Sequence, residues 1–186
     1  MGLFDFLKKN KNIENDNGLN ETYYDNGKGV LFEKFYKKNG KLDGLYEFYD
    51  VCIISGHHHL SRIGKFKNGQ KDGVWKEYGY KGKGLHKVGE FKNGQKDGVW
   101  KKWGGDELIG EVNYKEGMLH GISISIDALR VGKIYSKSVY LNKYKNGEIL
   151  EKKSYGFVKA DKNEIILGEL EWETFFENGK WIKRNN

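Results

Sequence analysis

A stretch of eleven residues, Phe66 to Lys76 (FKNGQKDGVWK), recurs without change at Phe91 to Lys101. Repetition at this short spacing is typical of arrays in which each copy forms one small supersecondary unit. In each copy Asn-Gly lies between alternating apolar residues, which is the strongest short-range signal for a two-residue hairpin turn. The duplication therefore predicts tandem β-hairpins with type I′ turns at Asn68-Gly69 and Asn93-Gly94, because asparagine and glycine accept the positive φ that this turn requires.

Further copies of the turn anchor, an aromatic residue shortly before Asn-Gly or Glu-Gly, occur on both sides of the duplication. They are Tyr24–Gly27, Tyr36–Gly40, Tyr114–Gly117, Tyr144–Gly147 and Phe176–Gly179. Longer alternating stretches at Ile122–Ile126, Lys133–Tyr144 and Glu164–Phe176 predict strands that continue the sheet. We therefore predict an all-β fold, an elongated single-layer antiparallel sheet of hairpin repeats over residues 22–186.

The turn also fixes a register, which we expect to run along the whole hairpin. The predicted pairs are Lys67 with Gln70, Phe66 with Lys71, Lys65 with Asp72, Gly64 with Gly73 and Arg62 with Trp75. Side chains alternate between the faces of a sheet, so the rings of Phe66 and Trp75 should share one face with the two glycines. We expect a ring to cover the bare glycine backbone. Phe91, Gly89, Gly98 and Trp100 form the same group in the next copy.

Residues 1–21 have a different character from the repeats. Met1 to Lys9 is a short amphipathic stretch that predicts a small helical cap, with weak contact to an anionic membrane surface as the alternative. Residues 10–21 are polar and rich in asparagine, which predicts a loose connector. The charges follow the apolar residues and no apolar run reaches 18 residues, so we expect neither a secretory signal nor a transmembrane segment, and a cytoplasmic location.

The positive charge of the chain is carried almost wholly by lysine. The net charge is +7, with 30 lysines and only three arginines, Arg62, Arg130 and Arg184. Arginine is the residue that makes bidentate contacts to phosphate and guanine, whereas lysine is more often part of a solvated face. The charge is therefore compatible with an acidic partner, and we expect no nucleic-acid binding.

Three adjacent histidines, His57 to His59, form the most prominent cluster of potential metal ligands. A closed metal site would also need ligands such as Cys52, His86 or His120, and the chain lacks the paired spacing of a zinc site. We predict an exposed loop between two hairpins, no metal and no cofactor. Cys52 lies in a short apolar run and is expected to be a small buried hydrophobe.

Three aspartates and one glycine-rich segment also resemble catalytic features. Asp43, Asp72 and Asp97 each precede a glycine at equivalent places of the repeat, so a turn or strand-edge role is favoured over paired catalytic carboxylates. Gly79 to Gly84 lacks the spacing of a phosphate-binding loop and is expected to link two hairpins. These interpretations predict no enzymatic activity.

The unit Gly-x-Phe-x-Asn-Gly-x-x-Asp-Gly-x-Trp-x-x-Tyr resembles the MORN repeat, in particular its bacterial variant. Residues 64–80 and 89–105 match best. Four further segments match in part, namely Phe32–Tyr49, Gly110–Gly121, Tyr144–Gly147 and Phe176–Gly179. The resemblance implies a sheet of hairpins with a groove along one face. It also implies a scaffold or partner-binding module, and proteins with the bacterial variant are often antitoxin or immunity proteins paired with a toxin.

Function is therefore expected to be protein binding, with a cognate toxin as one possible partner. The alternative is a scaffold or membrane-surface adaptor that binds acidic lipids or proteins. Aromatic residues and lysines of the two best copies are the predicted partner-binding residues, namely Trp75, Tyr78, Trp100, Trp103, Lys76 and Lys101. Packing between hairpins is the competing role for these rings. The pattern leaves open which face binds and whether the array forms oligomers.

Overall fold

The structure of the chain is a computed structural model. It describes residues 9–10, 15–24, 29–51, 58–131, 134–160, 164–177 and 180–185. They form two compact units, Met1–Gln95 and Lys96–Asn186. Both units are all-β, and consecutive strands pair antiparallel in hairpin order. The predicted all-β hairpin architecture is thus confirmed.

The first unit holds seven strands among its described residues. They are β1 (Lys9–Asn10), β2 (Gly18–Tyr24), β3 (Val30–Lys38), β4 (Lys41–Val51), β5 (His58–Lys67), β6 (Gln70–Tyr78) and β7 (Leu85–Lys92). Each of these strands pairs antiparallel with the next one along the chain. A short 3₁₀ turn at Tyr80–Gly82 connects β6 to β7, within the segment predicted to link two hairpins.

The second unit begins one residue inside strand β8 (Gln95–Gly104). Its further strands are β9 (Glu107–Lys115), β10 (Met118–Leu119), β11 (Gly121–Val131), β12 (Ile134–Lys145), β13 (Glu148–Ala160), β14 (Ile165–Glu177) and β15 (Lys180–Asn185). Strand β9 pairs with β8, with the short β10 and with β11. From β11 to β15 every strand pairs with its successor, which confirms the strands predicted from the alternating C-terminal sequence.

The type I′ turns are confirmed where the repeat predicted them. Asn68 and Gly69 have φ of 51° and 84°, and Asn93 and Gly94 have φ of 51° and 78°. Glu116-Gly117 has the same pair of positive φ values, 52° and 81°, although glutamate replaces asparagine. Five of the turns in the described residues follow this geometry, at Asn39, Asn68, Asn93, Glu116 and Asn146.

Hydrogen bonds tie each turn to the hairpin before it. The Gly69 N–H donates to the Leu42 carbonyl at 2.7 Å, and the Asn68 N–H donates to Oδ2 of Asp43 at 3.0 Å. In the second unit the Glu116 N–H donates to Oδ1 of Asp97 at 3.4 Å. Asp43 and Asp97 therefore hold turns, as predicted, since their carboxylates accept from backbone donors that the turn leaves unpaired.

The predicted register holds next to the turn and fails beyond it. Lys67–Gln70, Phe66–Lys71 and Lys65–Asp72 pair as expected. The next pair is Ile63 with Lys76, so Gly73, Val74 and Trp75 together lie opposite Gly64 alone. The predicted pairs Gly64–Gly73 and Arg62–Trp75 are wrong for this reason, and Arg62 pairs instead with Glu77.

Gly73 causes this bulge. Its φ is +67°, a conformation that costs glycine little and that other residues rarely adopt. A Cβ on Gly73 would have no atom within 4 Å, so this glycine is required for its backbone angle and not to make room for a ring. Gly98 and Gly121 occupy the same place in later copies, with φ of +67° and +72°.

The expected ring over a glycine is found at Gly64. A Cβ at Gly64 would overlap the indole of Trp75, which therefore lies directly on bare backbone. The indole N–H donates to the Lys65 carbonyl at 3.1 Å, and the ring is only 3% exposed. Trp75 also lies opposite Gly89 in β7. The bulge and this contact place a large apolar residue inside a sheet that has few aliphatic core residues.

The N-terminal part differs from the prediction. The predicted helical cap spans Met1 to Lys9. Residues 1–8 lie outside the described residues, Lys9 begins strand β1, and no α-helix occurs in the described part. Residues 18–21, predicted as loose connector, instead begin strand β2. Asn20 is 2% exposed, and its side-chain amide donates to the carbonyls of Asn15 and Gly18. This internal hydrogen bonding lets a polar segment join the sheet.

The histidine cluster also differs from the prediction. His58 and His59 lie in β5 opposite Val51 and Asp50, so the predicted loop is wrong for these two residues. The His58 ring stacks on Tyr49 with centroids 4.8 Å apart, and its Nε2 lies 2.6 Å from the Leu31 carbonyl oxygen. The backbone pairing with β4 makes the segment a strand, and these side-chain contacts hold His58 against its neighbours. His57 and Cys52 lie outside the described residues.

We expect Gly64→Ala to destabilise the first unit by roughly 1–3 kcal/mol, because the added methyl group would displace the Trp75 indole. Urea unfolding followed by tryptophan fluorescence measures the change. Gly156→Ala is the matched control, since a Cβ at this strand glycine would make only ordinary contacts at 3.9 Å. Equal stability of Gly64→Ala and the wild type would contradict the packing described here.

Candidate partner-binding surface

On the face of the first unit that carries Trp75, the rings of Tyr46, Phe66 and Trp75 pack together and form the floor of a concavity. The Phe66 and Trp75 rings meet edge-to-face with centroids 5.2 Å apart, and Tyr46 meets Phe66 edge-to-face at 5.4 Å. Tyr46 also lies 5.7 Å from Trp75. Edge-to-face pairs add stability beyond the area that they bury. The rings therefore support one another and form a rigid floor.

Tyr46 brings a polar group, its hydroxyl, to this floor of rings. Its hydroxyl donates to Oε1 of Glu33 at 2.9 Å. Burial, reinforced by the Glu33 carboxylate, raises the pKa of Tyr46 well above the usual tyrosine value. The raised pKa therefore keeps the hydroxyl protonated, and donating to Glu33, into alkaline solution.

Three cations lie around the rings. The Lys71 Nζ lies 4.1 Å from the Trp75 ring centroid and 5.0 Å from that of Phe91. The Arg62 guanidinium lies 4.0 Å over Phe48. The Lys37 Nζ lies 5.9 Å from the Phe35 ring. Each cation is thus held by a ring face, an attraction of about 0.5–2 kcal/mol depending on its exposure to water.

Together these groups line an open concavity of about 520 Å³, here called the aromatic concavity. Its lining residues are Glu33, Phe35, Lys37, Leu42, Tyr46, Arg62, Phe66, Lys71 and Trp75. Three of these side chains are cationic and one is anionic, and the anion accepts the Tyr46 hydrogen bond. An apolar floor with a net positive rim is suited to bind an acidic group that adjoins an apolar one.

The repeat reproduces part of this arrangement in the second unit. Lys96 stands where Lys71 stands in the first copy, and its Nζ lies 4.7 Å from the Trp100 ring and 4.8 Å from that of Tyr114. The Trp100 and Tyr114 rings meet edge-to-face at 6.4 Å. A lysine held between two rings is therefore a property of the repeat itself.

Two of the six predicted partner-binding residues are buried core residues. Trp75 and Trp100 are each only 3% exposed. A partner would meet the edges of these rings and the lysines above them, not open indole faces. Packing inside the sheet, the competing role considered for the aromatic ladder, accounts for both tryptophans.

The other four predicted residues lie at separate places. Tyr78 is half-buried in a second cavity of about 250 Å³, which His59 and Tyr80 also line. Trp103 is half-buried and pairs in register with Leu108. Lys76 is exposed on the face opposite Trp75, and Lys101 forms an ion pair with Glu111 at 2.9 Å. Within each unit, the three predicted residues therefore lie in three different surroundings.

The residues that do line the aromatic concavity were missed as a group, although the repeat contains signals for them. Tyr46 follows Gly44 by two residues, as Trp75 follows Gly73. Pairing Phe66 with Lys71 already places Lys71 on the aromatic face. Arg62 lies on the same face of β5 as Phe66, and its place over Phe48 depends on the pairing of β5 with β4, which the turns do not specify.

The candidate metal ligands are not brought together in the described part of the chain. No three histidine, cysteine, aspartate or glutamate residues there are placed to hold an ion. The same residues contain no helix with the length and apolar character of a membrane span.

Comparison with known proteins finds no family model and no curated sequence that matches this chain. The resemblance to the MORN repeat therefore stays a prediction, carried by the motif residues and by the hairpin architecture that they specify.

Alkaline pH should destabilise the first unit through its buried tyrosines. A tyrosine whose pKa is raised in the folded state binds its proton more tightly there than in the unfolded state. Its contribution to the free energy of unfolding is therefore complete below pH ~10 and falls as the pH rises above that value. Tyr46 has a raised pKa, and burial, with the carboxylates of Asp50 and Glu33, raises the pKa of Tyr24 to about 12.

Urea unfolding measured from pH 8 to pH 11 should therefore show a smaller loss of stability in Tyr46→Phe than in the wild type. Tyr80→Phe is the control, because Tyr80 is 70% exposed. An unchanged pH slope in Tyr46→Phe would show that the Tyr46 hydroxyl ionises equally in both states.

Proposed function

We propose that this chain is a protein-binding repeat protein whose aromatic concavity receives an acidic segment of its partner. The observation that carries the proposal is the ring floor beneath Arg62, Lys71 and Lys37, beside a single carboxylate that is already hydrogen bonded. Aromatic residues and arginine are enriched at the centres of protein interfaces. An acidic side chain of the partner would pair with the cations, and a neighbouring apolar side chain would cover the rings.

The charge of the whole chain supports the same partner chemistry. A net charge of +7 raises the rate at which an acidic protein is encountered. The cations of the concavity are held by ring faces, so little side-chain entropy remains to be lost when the partner binds. Pre-ordered cations of this kind favour specific docking over loose attraction.

Among acidic partners, we propose a cognate toxin. The resemblance to the bacterial MORN-type repeat supports this choice, since proteins with that variant are often immunity or antitoxin proteins. The mechanism would be steric, with the sheet covering the toxin's functional surface. A scaffold or membrane-surface adaptor is the competing function.

The docking face is tested by quantitative capture from the native host. The double variant Arg62→Gln/Lys71→Gln should recover the partner with about tenfold lower affinity, which corresponds to ~1.4 kcal/mol. Lys65→Gln/Lys76→Gln is the matched control, because it removes the same charge from the opposite face of β5 and β6. Equal weakening by both double variants would contradict docking at the aromatic concavity.

The toxin proposal is tested with the captured protein. It should arrest growth when it is expressed alone. The wild-type chain should relieve the arrest more completely than Arg62→Gln/Lys71→Gln does at the same expression level. Capture of a harmless protein would reject the toxin while leaving protein binding intact. Binding to anionic vesicles with no captured protein would replace the proposal with the adaptor function.

A further inference from the structure

The second unit has a row of polar side chains across its last three strands. Lys152 of β13 lies opposite Thr174 of β14, and Thr174 lies opposite Lys183 of β15. Neighbouring strands are about 4.8 Å apart, so the row places Thr174 between two lysines that rise from strands ~10 Å apart. Two lysines on either side of a threonine can supply hydrogen-bond donors to one oxyanion.

Two indoles complete the surroundings of this row. Trp172 and Trp181 line the same open cavity of about 320 Å³ as Lys152, Thr174 and Lys183. These five residues are here called the indole–lysine site. The Lys152 Nζ lies 4.8 Å from the Trp181 ring centroid, and the Lys183 Nζ lies 5.9 Å from that of Trp172. The rings hold the ammonium groups near the cavity.

On the opposite face of the same strands, a lysine is neutralised by carboxylates of the chain itself. Lys153 forms ion pairs with Glu151 at 2.8 Å and with Glu173 at 3.5 Å. No carboxylate of the described residues forms an ion pair with Lys152 or Lys183. The carboxylate of Glu171, at the neighbouring bulge, instead accepts a hydrogen bond from Ser154 at 2.6 Å.

We propose that the indole–lysine site binds a carboxylate of a protein partner, with an adjacent apolar side chain of that partner packed on Trp181. This proposal rests on the proposed protein-binding function and adds to it a second contact with a stated chemistry. The carboxylate would accept from Lys152, Lys183 and the Thr174 hydroxyl. The apolar side chain would cover Phe176 and Trp181, which are 49% and 45% exposed and have ring centroids 5.5 Å apart.

The geometry favours a protein over a single-stranded nucleic acid. A base stacks face to face on a ring, and the Lys152 ammonium lies over one face of Trp181, whereas an apolar side chain can also pack on the ring edge and on Phe176. The site also lacks arginine, the residue that recognises phosphate with two parallel hydrogen bonds. Exposed tryptophan and phenylalanine beside charged side chains are typical of a protein interface.

The charge also disfavours a second copy of this chain as the occupant. Two copies that met through this surface would bring Lys152 and Lys183 of one copy against the same lysines of the other. Like charges placed together at an interface are strongly unfavourable. An acidic partner meets no such repulsion.

The test uses the full chain and a short capped peptide that carries glutamate at both ends and phenylalanine in the middle. The indole N–H signals of the five tryptophans are followed by NMR and assigned with single tryptophan-to-phenylalanine variants. The peptide should shift the Trp172 and Trp181 signals saturably, and added salt should weaken binding. A peptide with glutamine in place of glutamate should shift them far less.

Variants of the chain then locate the contact. Lys152→Gln and Lys183→Gln should each raise the Kd about two- to fivefold, the effect expected for the loss of one partly exposed ion pair. Lys180→Gln is the matched control: it removes one charge from the same strand as Lys183, but on the opposite face, and should leave the Kd unchanged. Arg62→Gln/Lys71→Gln should leave the Kd read from the Trp172 and Trp181 signals unchanged, so failure of the aromatic concavity remains distinguishable from failure of this site.

Three outcomes would overturn the proposal. The first is equal binding of the glutamate and glutamine peptides. The second is equal weakening by Lys180→Gln and Lys183→Gln. The third is tighter binding of inorganic phosphate or of a short oligothymidylate than of the glutamate peptide, which would assign the site to a phosphate-bearing ligand.

Discussion

The contact between the Trp75 indole and the Gly64 backbone is the interaction on which the repeat depends. The ring lies where any side chain at Gly64 would stand, and its N–H is hydrogen bonded to the Lys65 carbonyl. The ring reaches this position because Gly73 takes a positive φ and lets three residues of one strand face one residue of the next. A chain with few aliphatic core residues thereby buries its largest side chain within one sheet.

The candidate binding surface follows from this packing. Trp75 lies flat on the sheet, so Phe66 meets it edge-to-face and Tyr46 meets it at a tilt. The Lys71 ammonium lies over the face of the Trp75 ring. Lys96 repeats the last contact over Trp100. Residues copied for stability thus also produce ordered positive charge above an apolar floor, which is the chemistry that an acidic protein segment requires. In the second unit, Lys152 and Lys183 meet indoles in the same manner.

The features that could be predicted from the sequence are those that neighbouring residues determine. The turns, the register beside them, the turn-holding aspartates and the ring over Gly64 all follow from residues close together in the chain. The bulge could not be predicted, because a strand glycine can either make room for a ring or adopt a positive φ. Gly64 makes room for the Trp75 ring, and Gly73 adopts a positive φ. The aromatic concavity also depends on the pairing of β4 with β5, which brings Tyr46 beside Gly64 and Arg62 opposite Phe48 and which the hairpin turns do not specify. His58 and His59 were assigned to a loop because the stacking of Tyr49 on His58 has no signal in the repeat.

The central claim, that indole on bare glycine backbone organises the repeat and its binding face, is tested most directly by NMR of the intact chain. A proton held over an indole face is shielded by the ring current. The Hα signals of Gly64 should lie well upfield of those of ordinary strand glycines such as Gly156, and should show nuclear Overhauser contacts to the Trp75 indole. Ordinary Gly64 shifts without such contacts would contradict the claim.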